Sequence, residues 1–135
     1  MSKVYADSVY WIALINLKDQ WRERAMQAST SLGPRSIVTT DEVLIETLNY
    51  FAESGTHFRG IVCREINNIL LDQNIEIVDA DHVNFLNGFE LYKNRLDKGY
   101  SLTDCISMNI CKIHGISDVL THDDHFRQEG FNILL

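Results

Sequence analysis

Short β-branched runs alternate with helical periodicities along the whole chain. Lys3-Val4-Tyr5-Ala6 predicts a strand, followed by a helix from about Ser8 to Leu17. A second helix from Gln20 to Ser31 is closed by Gly33-Pro34, a normal stop signal. Ser36-Ile37-Val38-Thr39 predicts the next strand, and Thr39 with Glu42 three residues on forms a capping-box pattern. In the helix it opens, Leu44, Leu48 and Phe51 recur at helical spacing until Gly55. Another helix is predicted from His57 to Leu71, a strand over Ile75-Glu76-Ile77-Val78 and a long helix from Asp81 to Leu96. Ser101 with Asp104 makes a second capping-box pattern, and its helix runs to His114 before Gly115. Asp118-Val119-Leu120-Thr121 and Phe131 to Leu135 are the last two strands. Strands separated by helices imply βαβ units and therefore a parallel sheet covered on both faces. The expected fold is α/β, a three-layer α/β/α arrangement around a mostly parallel sheet of about five strands. Nothing along the chain resembles a linker, a repeat or a low-complexity tract, so residues 1–135 are expected to form a single domain.

Composition changes this picture little, but charge and cysteine content narrow the chemistry. A hydrophobic fraction of 45% and a charged fraction of 23% suit a globular protein and exclude disorder, collagen or coiled coil as descriptions of the whole. Twelve basic against nineteen acidic residues give a net charge of −7. Binding nucleic acid by phosphate neutralisation alone is thereby disfavoured. A divalent cation held between carboxylates escapes that objection, because the ion brings its own positive charge. The three cysteines, Cys63, Cys105 and Cys111, are odd in number and form no C-x-x-C pair, which argues against a disulfide scaffold or a structural zinc site. The longest apolar run, Val9 to Ile15, is far short of the ~20 residues that a membrane span needs. Asp7 directly before it argues against a secretory signal. The expected location is the cytoplasm, with no membrane partner.

In open parallel sheets ligands bind beyond the carboxyl ends of the strands. Asp7 directly follows the first predicted strand, and Asp123 follows Val119-Leu120-Thr121 almost at once. From Asp104 a helix travels some ten residues, roughly 15 Å, before the strand at Asp118 returns. Asp104 and Asp123 should therefore finish at one edge with Asp7. Three carboxylates there repel one another unless a cation sits among them. On the helix after the second strand, a ~100° rotation per residue groups Leu44, Leu48 and Phe51 on one side. Glu42, Glu46 and Glu53 then share the opposite side, and periodicity does not choose among them.

Plainer roles stand beside these. Asp104 suits the acidic position of a helix cap, and Asp123 with Asp124 suits the start of a short helix through Phe126-Arg127. Glu46 alone reads as a solvated helix residue, whereas Asp7 beside apolar Val9-Tyr10-Trp11-Ile12 is costly without a partner. His122 and His125 flank two aspartates and admit a transition-metal site, though surface-loop positions near a substrate path fit them better. Cys105 and Cys111 read as small core residues, and Trp11 and Trp21 as core or interface residues. Arg22, Arg24, Arg59, Arg64, Lys93, Arg95 and Lys98 are candidate phosphate contacts, mostly expected to be ordinary solvated charges. A haloacid-dehalogenase-like phosphatase also places Asp after its first strand, but needs a second Asp where this chain has Val9.

Four segments together resemble the PIN-domain ribonucleases, including the toxins of VapBC toxin–antitoxin pairs. They are Tyr5-Ala6-Asp7-Ser8, Val43-Leu44-Ile45-Glu46-Thr47-Leu48, Ser101-Leu102-Thr103-Asp104 and Leu120-Thr121-His122-Asp123-Asp124-His125-Phe126. The likeness runs from the first strand to the last. It implies an acidic site that binds Mg²⁺ or Mn²⁺ and cuts RNA by metal-assisted phosphodiester hydrolysis. The family's quartet falls on Asp7, Glu46, Asp104 and Asp123 as catalytic and metal-binding residues, with Ser8 helping to hold the site and Glu46 a candidate for orienting water. Where many members carry a further acid two positions after the last Asp, this chain has His125; Asp124 is the nearest substitute. The resemblance also implies a homodimer and an antitoxin partner. A catalytically degenerate PIN domain acting as a nucleic-acid-binding or assembly module is the alternative.

Overall fold

The computed structural model describes residues 2–135. Five strands form one sheet in the order β3-β2-β1-β4-β5, every neighbouring pair parallel. They are β1 (Lys3–Ala6), β2 (Ser36–Thr40), β3 (Ile75–Val78), β4 (Asp118–Leu120) and β5 (Asn132–Ile133). The connections are α1 (Ser8–Ile15) and α2 (Arg22–Ser31), α3 (Asp41–Tyr50) and α4 (Thr56–Leu71), α5 (His82–Lys93) and α6 (Leu102–His114), and α7 (Asp124–Gln128). Right-handed crossovers place α1 to α4 on one face and α5 to α7 on the other. The expected three-layer α/β/α architecture is the one observed.

The central strands are buried on both faces, which is why they read as apolar runs. Val4, Tyr5 and Ala6 of β1, Val38 of β2 and Val119 and Leu120 of β4 are fully buried. Register pairs Tyr5 with both Val38 and Val119, and Ala6 with Leu120. Beneath the carboxyl edge, the Tyr5 hydroxyl donates to Ser107 Oγ at 2.7 Å and lies 3.2 Å from Thr40 Oγ1, tying β1 to α6 and β2. Order along the sheet reverses at β1: the chain moves from β1 to β2 and β3 on one side, then returns to β4 and β5 on the other. The gap beyond the ends of β1 and β4 is therefore the topological switch point, where ligands of open α/β sheets bind.

Several boundaries differ from expectation. Thr40, not Thr39, caps α3, its hydroxyl accepting the Val43 N–H at 3.2 Å. Thr39 is equally buried but bonds elsewhere, its Oγ1 donating to the Ala6 carbonyl at 2.9 Å. Helix α1 stops at Ile15, where Asn16 becomes extended. α2 begins at Arg22 and α5 ends at Lys93. The last strand is two residues rather than five, Asn132 and Ile133, because it pairs only with Asp118 and Val119 of the three-residue β4. On α3 the buried face is Val43, Leu44 and Thr47, while Leu48 is exposed. Thr47 is polar yet fits that face because its hydroxyl bonds back to the Val43 carbonyl at 2.8 Å. This turns the helix relative to an axis counted on leucines.

Candidate functional site

Where β1 ends, Asp7 turns the chain into α1, its Oδ1 accepting the Ser8 N–H at 2.9 Å. Its own N–H reaches the Leu120 carbonyl at 3.3 Å, carrying the β1–β4 ladder one residue further. Asp7 and Thr121 consequently lie side by side, and Thr121 Oγ1 donates to Asp7 Oδ2 at 2.9 Å. The Asp7 side chain is thus held by two donors in a site where the residue is only 3% exposed.

The other acids arrive from three different elements. With Val43, Leu44 and Thr47 facing the core, the rotation of α3 brings Glu46 toward the cleft, half-buried, where it accepts a hydrogen bond from the Ser8 hydroxyl. Glu42 has no such partner, and Glu53 lies beyond the end of α3, exposed. Asp104 is buried in the first turn of α6 as the acidic half of a reciprocal capping box. Its N–H donates to Ser101 Oγ at 3.0 Å and its Oδ2 accepts the Ser101 N–H at 3.1 Å. Asp123 caps α7, accepting the His125 N–H at 3.0 Å, while its own N–H donates to Thr121 Oγ1 at 3.1 Å. For both aspartates the helix-capping role and a place in the cleft coexist.

One oxygen each of Asp104 and Asp123 and one His125 nitrogen all lie within 4.8 Å of one another. Asp7 and Glu46 lie outside this group but near enough to feel its charge, Asp104 acting on both and Asp123 on Glu46. Burial, then the neighbouring Asp104 carboxylate, pushes Asp7 up to about 7. Burial also raises Glu46, reinforced by the charges of Asp104 and Asp123. Asp104 rises for the same two reasons, burial first and the Asp123 charge next. Like charges forced together in a poorly hydrated space hold protons more tightly, which marks a deficit of positive charge at this edge.

Asp124 does not join the group: it is exposed and pairs with Arg127. The two histidines separate. His122 stacks on Trp21 with ring centroids 4.1 Å apart, while His125 turns toward Asp104 and Asp123. Trp11 is a core residue, as are Cys105 and Cys111. Arg24 lies over the Trp21 ring, Arg22 and Arg59 bond to backbone carbonyls, and Arg95 pairs with Glu129.

No family model matches the chain, and no curated protein matches its sequence. Solved structures do. VapC20 of Mycobacterium tuberculosis, a sarcin–ricin-loop-cleaving toxin, superposes with a TM-score of 0.85 at 20% identity, over 96% of each chain. FitAcB from Neisseria gonorrhoeae gives 0.70 at 15% identity over 98% of this chain and 96% of that one. FitAB bound to a DNA fragment gives 0.70 at 18% identity over 96% and 92%. The fold is that of the VapC-like PIN domains.

Within this PIN fold the donor set suits a divalent cation, since carboxylate oxygens are the ligands hard ions take. A buried nitrogen without a hydrogen-bond partner, His125 Nδ1, points the same way. Thr121 and His125 are the participants that sequence reasoning passed over or left on the surface. Thr121 was findable as a hydroxyl residue directly after a strand and two before an aspartate. His125 carried one local signal, its place two positions after Asp123, where the resembling family often has a further acid.

Proposed function

We propose that this chain is a divalent-metal-dependent endoribonuclease, with Asp7, Asp104 and Asp123 holding Mg²⁺ or Mn²⁺ and Glu46 completing the acidic site. The observation that carries it is the gathering of four carboxylates from four elements at the switch point, with Asp7, Glu46 and Asp104 all raised in proton affinity. Bound there, the ion would supply a water acidic enough to attack phosphorus near neutral pH and positive charge for the phosphate oxygens. The chain's own residues set the geometry. Thr121 and the Ser8 N–H fix the Asp7 carboxylate. The capping box fixes Asp104, and Ser8 restrains Glu46 where it can accept a proton from a water or orient it.

Structural likeness to VapC20 supports RNA as the substrate and the toxin of a VapBC-type pair as the biological role. On that reading the chain works in the cytoplasm as a homodimer, neutralised by an antitoxin. No helix among the described residues is long and apolar enough to cross a membrane. The test is cleavage of structured RNA, a sarcin–ricin stem-loop first, with Mg²⁺ or Mn²⁺ and with chelator. Cleavage should need the ion and vanish in Asp7→Asn and Asp104→Asn, whose circular dichroism stays that of the parent. Full activity in either variant refutes the assignment. Metal binding without cleavage of any RNA would favour the degenerate binding module.

A further inference from the structure

His125 is held in place by the acid it faces. Asp123 caps α7 by accepting the His125 N–H at 3.0 Å, which fixes the backbone of residue 125 behind the Asp123 carboxylate. The ring is confined further by Gly99, where a Cβ would stand 3.4 Å from Nε2, and by Tyr100, 5.4 Å away between centroids. So placed, Nδ1 lies 3.3 Å from Asp123 Oδ1 and 3.5 Å from Asp104 Oδ2. It is buried and makes no hydrogen bond, although two carboxylates adjoin it. Both separations exceed the usual N–H···O range. The three candidate donors of Asp104, Asp123 and His125 lie within 4.8 Å of one another, close enough that one ion held between them would supply the partner this nitrogen lacks.

Resting on the metal-dependent reading above, we infer that His125 Nδ1 is a metal ligand alongside Asp104 and Asp123, and that it biases the site toward Mn²⁺ over Mg²⁺. Mg²⁺ gains little from exchanging a water for an imidazole, whereas first-row transition ions accept nitrogen readily. A site made of oxygens alone lacks this preference. His122, stacked on Trp21, takes no part.

The decisive measurement uses the full chain, stripped of metal and reloaded with Mn²⁺, studied by electron spin-echo modulation spectroscopy. The native protein should show coupling to one imidazole nitrogen, absent in His125→Asn and retained in His122→Asn. By calorimetry, His125→Asn should weaken Mn²⁺ about tenfold or more, the scale of losing one ordered participant in a metal site. Mg²⁺ affinity should stay within about threefold, since water replaces the lost nitrogen. His125→Asp should reverse the preference. Mn²⁺ bound to the native protein without nitrogen coupling overturns the inference while leaving the metal centre standing. So does equal weakening of both ions, which would mean His125 only shapes the site. Failure of the native protein to bind either ion would instead overturn the metal-dependent nuclease as well. Should His125→Asn fail to fold, the spectrum of the native protein still decides.

Discussion

Asp7 shows how burial beside another acid costs a single residue stability. Its carboxyl group is raised from an ordinary 3.8 to about 7 by burial first and Asp104 second. An acid whose folded value lies above its unfolded value binds its proton more tightly in the native state. Its contribution is therefore full below about pH 4, shrinks as pH climbs toward about 7, and is constant above that. Asp7→Asn removes the titration while keeping an oxygen for the Ser8 N–H. In metal-free protein at pH 8 the variant should be more stable than the parent, on the order of a few kcal/mol. Near pH 5 the difference should shrink to a fraction of that. Urea melts of both proteins at the two pH values check this, and the difference between them cancels the separate acid sensitivity of Glu129 and Asp118, whose carboxyls are lowered. A parent more stable than Asp7→Asn at pH 8 without metal would mean that Asp7 is stabilised by an undetected positive partner. Rescue of the parent by Mn²⁺, with none in the variant, would tie the cost to the site's purpose.

At the scale of elements, the site depends on how closely α6 can be held, since α6 carries Asp104. Helix α5 packs on α6 through Gly88, where an added Cβ would collide with Ile106 Cγ1 and come within 3.3 Å of the Ile106 Cα and N. Backbone cannot yield as a side-chain tip can, so Gly88→Ala should destabilise by about 1–3 kcal/mol through overpacking. Gly60 offers the opposite case. It sits exposed within α4 with open space where a methyl group would stand, so Gly60→Ala should stabilise by up to about 1 kcal/mol through helix propensity. Thermal melts of the pair should move in opposite directions. The same elements explain what was legible in the sequence. β1, β2 and β3 are short apolar runs between turn signals, and the Ser101–Asp104 capping box forms as its spacing predicts. Asp7, Asp104 and Asp123 could be placed at one edge because strand direction and helix length decide it. Glu46 could not be chosen over Glu42 or Glu53, because the buried face of α3 is completed by Thr47, a residue that an apolar count ignores. Thr39 and Thr40 are adjacent and chemically alike, so only their bonding in the fold reveals which one caps. His125 acquires its place from the local Asp123 cap and from the Gly99 backing, the latter a contact made across the fold.

Across the whole molecule the charge balance sets how RNA would be held under the proposed function. The net charge is −7, and of the twelve basic residues seven lie in ion pairs: Lys3, Arg35, Lys93, Arg95, Lys98, Lys112 and Arg127. Arg95 is bonded to both Glu129 oxygens at 2.9 Å, and Arg35 bonds both Asp118 and the Lys3 carbonyl. Few cations remain to neutralise phosphates, and none of those in ion pairs is paired with the four acids of the cleft. A protein that neutralises Z phosphates loses affinity with added salt at a logarithmic slope of about −0.7Z for single strands. Ordinary basic nucleases therefore bind RNA with steep slopes. For this chain the slope in KCl, measured by fluorescence anisotropy with a labelled RNA and the non-cleaving Asp104→Asn variant, should be shallow, no steeper than about −2. Because that variant weakens the metal site, the native protein must be measured beside it, on an RNA with a non-hydrolysable linkage. There, affinity should rise with Mn²⁺ at constant ionic strength, which the Asn variant should not reproduce. A steep KCl slope with no response to Mn²⁺ would show that unpaired surface cations carry the binding, and that the acidic cleft meets the phosphate without help from an ion.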